Sequence, residues 1–146
     1  MKKISVFFVA AILLASCSTE SESSATNETV VTEQTEATGT ASVQTIGSQE
    51  AKELLEQQSD VVVLDVRTPE EYASGHLKNA QLMNFNSPDF NEQLKTLDKD
   101  KTYLVHCAAG GRSGKATQVM EQMGFSKVYD ATDGFSTLKS SGIPTE

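Results

Sequence analysis

Residues 102–120 read TYLVHCAAGGRSGKATQVM. Thr102 to Val105 is a short apolar run that reads as a strand, and it leads straight into His106 and Cys107. Gly110-Gly111 breaks the chain. Ser113 to Met123 then reads as a helix, with Ala116, Val119, Met120 and Met123 on one side and Gly124 as its C′ residue. A buried strand, a tight small-residue turn and a helix thus follow one another, with a cysteine at the strand's carboxyl end.

That order has chemical consequences. The small residues Ala108, Ala109, Gly110 and Gly111 let the backbone curl so that successive N–H groups point inward as an anion-binding nest. The helix start adds partial positive charge. A thiol in that field has a lowered pKa and exists largely as the nucleophilic thiolate. Arg112 supplies a fixed cation with a fork of donors for an oxyanion. Cys107 is therefore the candidate nucleophile, and the segment from Ala108 to Ser113 its candidate binding loop.

The flanking sequence repeats the alternation. Ser48 to Gln58 reads as a helix capped by Ser48, with Ala51, Leu54 and Leu55 on one face. Val61 to Leu64 is a continuous apolar run, typical of a strand covered on both faces, and it ends at Asp65-Val66-Arg67. Thr68-Pro69-Glu70-Glu71 is a helix start: Thr68 as N-cap, proline at the first position, Glu71 closing a capping box. Ala80 to Phe85 is a further strand. Ser87-Pro88-Asp89 opens a helix through Phe90, Leu94 and Leu97. Lys127 to Tyr129 is a last strand, and Gly134 to Ser141 a last helix, stopped by Gly142 and Pro144. Strands alternate with helices and no connection looks like a hairpin. The class is α/β, one domain over residues 46–146, with a mostly parallel central sheet and helices on both faces. In such sheets sites form beyond the carboxyl ends of the strands, where Asp65, Arg67, His106 and Cys107 fall.

Three blocks, in order, resemble the rhodanese family. Asp65 to Tyr72, with Gly75-His76-Leu77 and Asn79-Ala80, is similar to its amino-side signature. Cys107 to Ser113 is similar to its active-site loop. Val128-Tyr129-Asp130, Asp133-Gly134-Phe135 and Gly142-Ile143-Pro144 are similar to its carboxyl-side signature. The resemblance implies a sulfurtransferase of the thiosulfate:cyanide type with no cofactor. Cys107 matches the nucleophile and sulfur carrier. The amides of Ala108, Ala109, Gly110, Gly111, Arg112 and Ser113 match the cradle around a persulfide, and Arg112 the arginine for an anionic donor. Asp65 and Arg67 are expected to brace the loop. The donor would be a small sulfur-containing anion, a polysulfide or a protein persulfide; the acceptor, a thiol or cyanide. Ala108 stands where many members carry a second basic residue, which implies a weaker preference for thiosulfate. Asp133 replaces one of a glycine pair.

Two rivals have weaker support. A cysteine phosphatase or arsenate reductase places five residues between cysteine and arginine, and here four intervene. A non-catalytic persulfide carrier or partner-binding module is the other reading. His76 reads as structural. His106 should point away from Cys107, because side chains alternate along a strand. No spacing suggests a metal site, and no nucleotide-binding motif is present.

The amino-terminal third differs in kind. Residues 1–16 read as a secretory signal: Lys2 and Lys3, then an apolar run from Ile4 to Leu14. A permanent membrane span needs about 20 apolar residues, so this run is too short. Leu14-Ala15-Ser16-Cys17 resembles the bacterial lipoprotein signal, which implies cleavage before Cys17, its lipidation, and anchoring at a membrane of the cell envelope. Residues 17–45 are rich in Ser, Thr and Glu, carry five glutamates and no basic residue, and read as a disordered acidic tether. The chain has 12 basic and 20 acidic residues, net −8. That balance argues against nucleic acid as a partner. With Cys17 acylated, Cys107 has no disulfide mate, and a monomer is the default state.

Overall fold

The computed structural model describes residues 42–146. The signal, Cys17 and the tether up to residue 41 lie outside the described residues. The described part alternates strands and helices: β1 Ser42–Ile46, α1 Ser48–Gln57, β2 Val62–Asp65, α2 Pro69–Ala73, β3 Gln81–Leu82, α3 Phe90–Lys95, β4 Thr102–His106, α4 Gly111–Gln122, β5 Lys127–Ala131 and α5 Gly134–Ser140. The strands form one sheet in the order β1-β5-β4-β2-β3, and every ladder is parallel. β4, the strand that leads into Cys107, is central.

Alternation along the strands builds two apolar layers. One face gathers Leu64, Val66, Tyr103, Val105, Cys107 and Val128 against Phe90 and Leu94 of α3 and Ala116 and Met120 of α4. The other gathers Val63, Leu104 and Ala131 against Ala51 and Leu54 of α1 and Leu138 of α5. The expected α/β sheet with helices on both faces is therefore the observed one. Tyr103, Leu104 and Val105 are all essentially solvent-free, as a strand covered on both sides requires.

The boundaries differ at several points, each for a long-range reason. β1 begins at Ser42, ahead of the expected domain start at Ile46. The SVQTI segment holds two large apolar residues, Val43 and Ile46, one packed on each layer. Its place is set by parallel pairing to β5, Ser42 opposite Lys127 through Ile46 opposite Ala131. Such an edge strand draws on backbone bonds that composition does not register.

α1 is capped by Gly47 rather than Ser48. The Gly47 N–H donates to the Glu50 carboxylate at 3.0 Å, and the Ser48 N–H donates to Asp133 Oδ2 at 2.7 Å. Asp133, the residue in place of a glycine, thus closes the start of a helix far away in sequence. β3 is only two residues long, because the chain turns at Asn84, where the Ser87 N–H donates to the Asn84 carbonyl. α3 starts at Phe90 rather than at Ser87. α4 starts at Gly111 rather than Ser113, since Gly110 already takes the left-handed conformation that turns the chain into the helix. The capping box at α2 is as read: Thr68 Oγ1 accepts from the Glu71 N–H, and the Glu71 carboxylate accepts from the Thr68 N–H.

Candidate active site

The central strand delivers Cys107 to the carboxyl end of the sheet, on the α4 face. Cys107 is 1% exposed. Its sulfur meets the backbone N–H groups of Ser113, Ala109 and Arg112 and the Ser113 hydroxyl. Burial opposes the charged form, but these donors outweigh it and hold the thiol below its ordinary range. Of the loop residues read as a cradle, Ala109, Arg112 and Ser113 supply amides to the sulfur. Ala108, Gly110 and Gly111 shape the turn, and the Gly110 carbonyl accepts from the Gly114 N–H at 3.0 Å.

Two close approaches make this turn possible. Gly110 has φ of +81°, and a side chain there would start 2.5 Å from the Thr132 carbonyl oxygen. Gly134, φ +79°, lies against the Ala108 carbonyl with no room for a β-carbon. The start of α5 thereby seats on the loop, and the Phe135 N–H donates to the Cys107 carbonyl at 2.9 Å.

Asp65 and Arg67 lie on the opposite side of the sheet. Arg67 Nε and Nη2 grip both Asp65 oxygens at 2.6 to 3.0 Å, and Nη2 also donates to the Gly75 carbonyl at 2.8 Å. The guanidinium lies 3.9 Å from the centre of the Phe135 ring. The pair therefore connects to the loop through Phe135, whose amide holds Cys107, and does not touch the sulfur's ring of amides. His106 is fully buried on that same side, its ring stacked near Phe135 and its Nε2 3.7 Å from Asp65 Oδ2. Burial, with Arg67 adding to it against the pull of Asp65, lowers its pKa and keeps it neutral. His76 stacks on Tyr72 with ring centres 3.7 Å apart, and its Nδ1 meets the Tyr72 carbonyl.

Arg112 is not an open cation. Its Nη1 and Nη2 clasp the Glu71 carboxylate at 2.7 and 2.8 Å, joining α2 to the loop. Glu71 is thus both cap and counter-ion, a role its place in the capping box does not reveal. A cavity of about 400 Å³ opens over Cys107. Phe85 and Asn86 face the loop across it, and Lys115 stands at its edge. Lys115 makes no ion pair among the described residues and is exposed. It lies one helical turn beyond Arg112, and no local sequence pattern marks it as part of a site. A cavity of similar volume, near 410 Å³, lies at the other end of the sheet by Val61, Lys78 and Pro144, away from Cys107. Among the described residues no group of three or more His, Cys, Asp or Glu is arranged to hold a metal.

Hydrogen bonds from Arg112 are the first cause that takes the Glu71 carboxyl from the ordinary 4.5 down to about 2, against the opposing effect of burial. A carboxyl with a depressed folded pKa stabilises the fold above its unfolded value, and loses that contribution as pH falls through its folded one. Wild type should therefore be more stable than Glu71→Gln at neutral pH. The gap should narrow below 4.5 and close near a pH of about 2. Thermal unfolding of both proteins across that range checks it; a gap independent of pH would contradict it.

A rhodanese-like domain profile matches residues 48–141. The chain is similar to thiosulfate sulfurtransferase 16, chloroplastic, of Arabidopsis thaliana, 39% identical over 93 residues, covering 57% of this chain and 78% of that one. It is similar to the thiosulfate sulfurtransferase GlpE of Coxiella burnetii, 34% identical over 91 residues, covering 62% and 82%. Among solved structures, a rhodanese-related protein of Thermoplasma volcanium superposes with a TM-score of 0.62 at 29% identity, over 70% of this chain and 97% of that one. With the strand, loop and helix around Cys107 in place and the profile spanning α1 to the end of α5, the chain belongs to the rhodanese-like domain family.

Proposed function

We propose that this protein is a sulfurtransferase that carries sulfane sulfur on Cys107. The observation that carries the reading is the ring of three N–H groups around a buried thiol at the floor of an open cavity. The names of the two sulfurtransferase relatives support it. In the first step the Cys107 thiolate attacks the outer sulfur of thiosulfate. An S–S bond forms to Cys107, and the donor's S–S bond breaks with its electron pair leaving on sulfite. In the second step an acceptor, a thiolate or cyanide, attacks the outer sulfur of the persulfide. Cys107 leaves as thiolate. Neither step needs a proton from the protein. The amides that hold the thiolate also suit the terminal sulfur of the persulfide, an anion of the same charge.

Lys115 joins Arg112 as a cation for an anionic donor. Arg112 lines the same cavity and faces the Cys107 sulfur, but its charge is partly offset by Glu71 and the chain as a whole is acidic, so the exposed ammonium group of Lys115 adds to the field at the cavity mouth. A protein persulfide would deliver its sulfur without needing that charge. Upstream, lipidation of Cys17 would anchor the domain to a membrane of the cell envelope by an acidic tether, where the chemistry takes place outside the cytoplasm.

Incubation with thiosulfate should add the mass of one sulfur atom to wild type and none to Cys107→Ala. An adduct on both, or on neither, would sink the persulfide reading. Subsequent cyanide should remove the sulfur and form thiocyanate over many turnovers; a single turnover would favour a carrier. Lys115→Glu should raise KM for thiosulfate about fivefold with little change in kcat, more at low salt than at high. Equal KM values would remove Lys115 from donor recognition. Labelled palmitate should enter the full chain in a bacterial host and be lost in Cys17→Ser; label retained in that variant would contradict lipidation at this residue.

A further inference from the structure

Arg112 reaches the cavity with its donor fork already taken. Its Nη1 donates to Glu71 Oε2 at 2.7 Å and its Nη2 to Glu71 Oε1 at 2.8 Å, a two-pronged clasp. The clasp is held from the other side as well. Glu71 Oε2 also accepts the Thr68 N–H at 3.0 Å, and the Glu71 N–H donates to Thr68 Oγ1 at 3.3 Å. The carboxylate therefore cannot swing off Arg112 without breaking the cap of α2. Glu71 itself is not among the residues lining the cavity, whereas Arg112 is. Its influence there passes through the guanidinium group.

The charges around the sulfur set what can enter. Arg112 and Lys115 bring two positive charges, and the Glu71 carboxylate with a Cys107 thiolate brings two negative ones. They cancel. A dianion such as thiosulfate meets no net attraction, and the guanidinium N–H groups that would grip its sulfonate already face a carboxylate. A donor of single charge loses less. The opposite wall adds an apolar surface. The Phe85 ring stands edge-on to Phe90 with centres 5.2 Å apart, and its backbone N–H donates to the Val66 carbonyl at 3.3 Å. Across the cavity from it lie Ala108, Ala109 and Gly111, which offer no polar side chain. At about 400 Å³ the space accommodates an organic group on the donor.

We propose that Glu71 is a positioning residue that sets donor specificity: by clasping Arg112 it withholds that cation from the cavity, and so favours a singly charged organic sulfane donor over the thiosulfate dianion. The assignment rests on Cys107 carrying sulfane sulfur, as proposed above. With a donor R–SO2–S⁻ or R–S–S⁻, the Cys107 thiolate attacks the outer sulfur. An S–S bond forms to Cys107, and the donor's own S–S bond breaks with its electron pair leaving on the sulfinate or the thiolate.

The test is steady-state sulfur transfer to cyanide by the full chain, with thiosulfate and methanethiosulfonate as donors. The two carry the same kind of sulfane sulfur and differ by one charge. Wild type should have the lower KM for methanethiosulfonate. Glu71→Gln removes the charge but keeps a residue that closes a capping box. It should lower KM for thiosulfate about fivefold and KM for methanethiosulfonate about twofold, with kcat little changed, because a dianion feels twice the change in potential. The clasp is partly exposed, with side chains 34% and 24% accessible at Glu71 and Arg112, so both gains should shrink at high salt. A purely structural brace would behave differently: loosening the loop would raise both KM values or lower kcat for both donors. Either of those results, an equal change for the two donors, or a wild-type KM for thiosulfate at or below that for methanethiosulfonate would overturn the proposal. The wild-type comparison decides alone if the variant unfolds at the assay temperature. Added sulfur on the Cys107 peptide, read by mass after incubation with each donor, separates the two levels. Sulfur added without the expected KM pattern sinks only the role of Glu71, and no sulfur from either donor sinks the sulfurtransferase reading with it.

Discussion

A sulfur removed from water can carry charge only where the fold supplies donors to it, and around Cys107 those donors are mostly backbone. Cys107 sits where a fully covered strand gives way to a helix, and the N–H groups of Ala109, Arg112 and Ser113 close on it. Backbone donors are rigid and cost little conformational entropy to present. They are in place only if the turn between β4 and α4 is tight. That tightness in turn requires Gly110 in a left-handed conformation and Gly134 pressed against the Ala108 carbonyl. The loop and the start of α5 are thus one packed unit, joined at the Phe135 N–H to Cys107 carbonyl bond.

The charged pairs around this unit divide the labour between the two sides of the sheet. Asp65 and Arg67 are both essentially buried, which would be costly for isolated charges. Two-pronged contact, a bond to the Gly75 carbonyl and a flat aromatic neighbour offset that cost. Their place beneath Phe135 ties β2 and α2 to the segment that supports the loop from behind. Glu71 and Arg112 do the corresponding work at the surface, linking α2 to the loop from in front. Arg112 thus serves two ends, tying α2 to the loop and facing the Cys107 sulfur from the cavity wall. Lys115 adds a second basic group to that cavity, on a chain that is acidic as a whole.

Much of this was legible along the chain. The apolar run into Cys107, the small-residue turn and the helix after it are neighbours in sequence, and their periodicity changes where the structure changes. The capping box at Thr68 and Glu71 is likewise local, because its bonds span a single helical turn. The alternation of such units carried the α/β class with helices on both faces, and the placing of His106 on the side away from Cys107.

What sequence could not carry is what depends on distant residues meeting. β1 has too few apolar residues to announce itself and exists through its ladder to β5. Asp133 caps α1 across 85 positions, and Glu71 meets Arg112 across 41. Asp130 falls just past the expected last strand, and only the fold places it in that strand and buries it. Local propensity and period are properties of adjacent residues, so sequence alone determined most of the elements, their order and the candidate nucleophile. Partners and burial depend on three-dimensional proximity, and only the tertiary structure decided those.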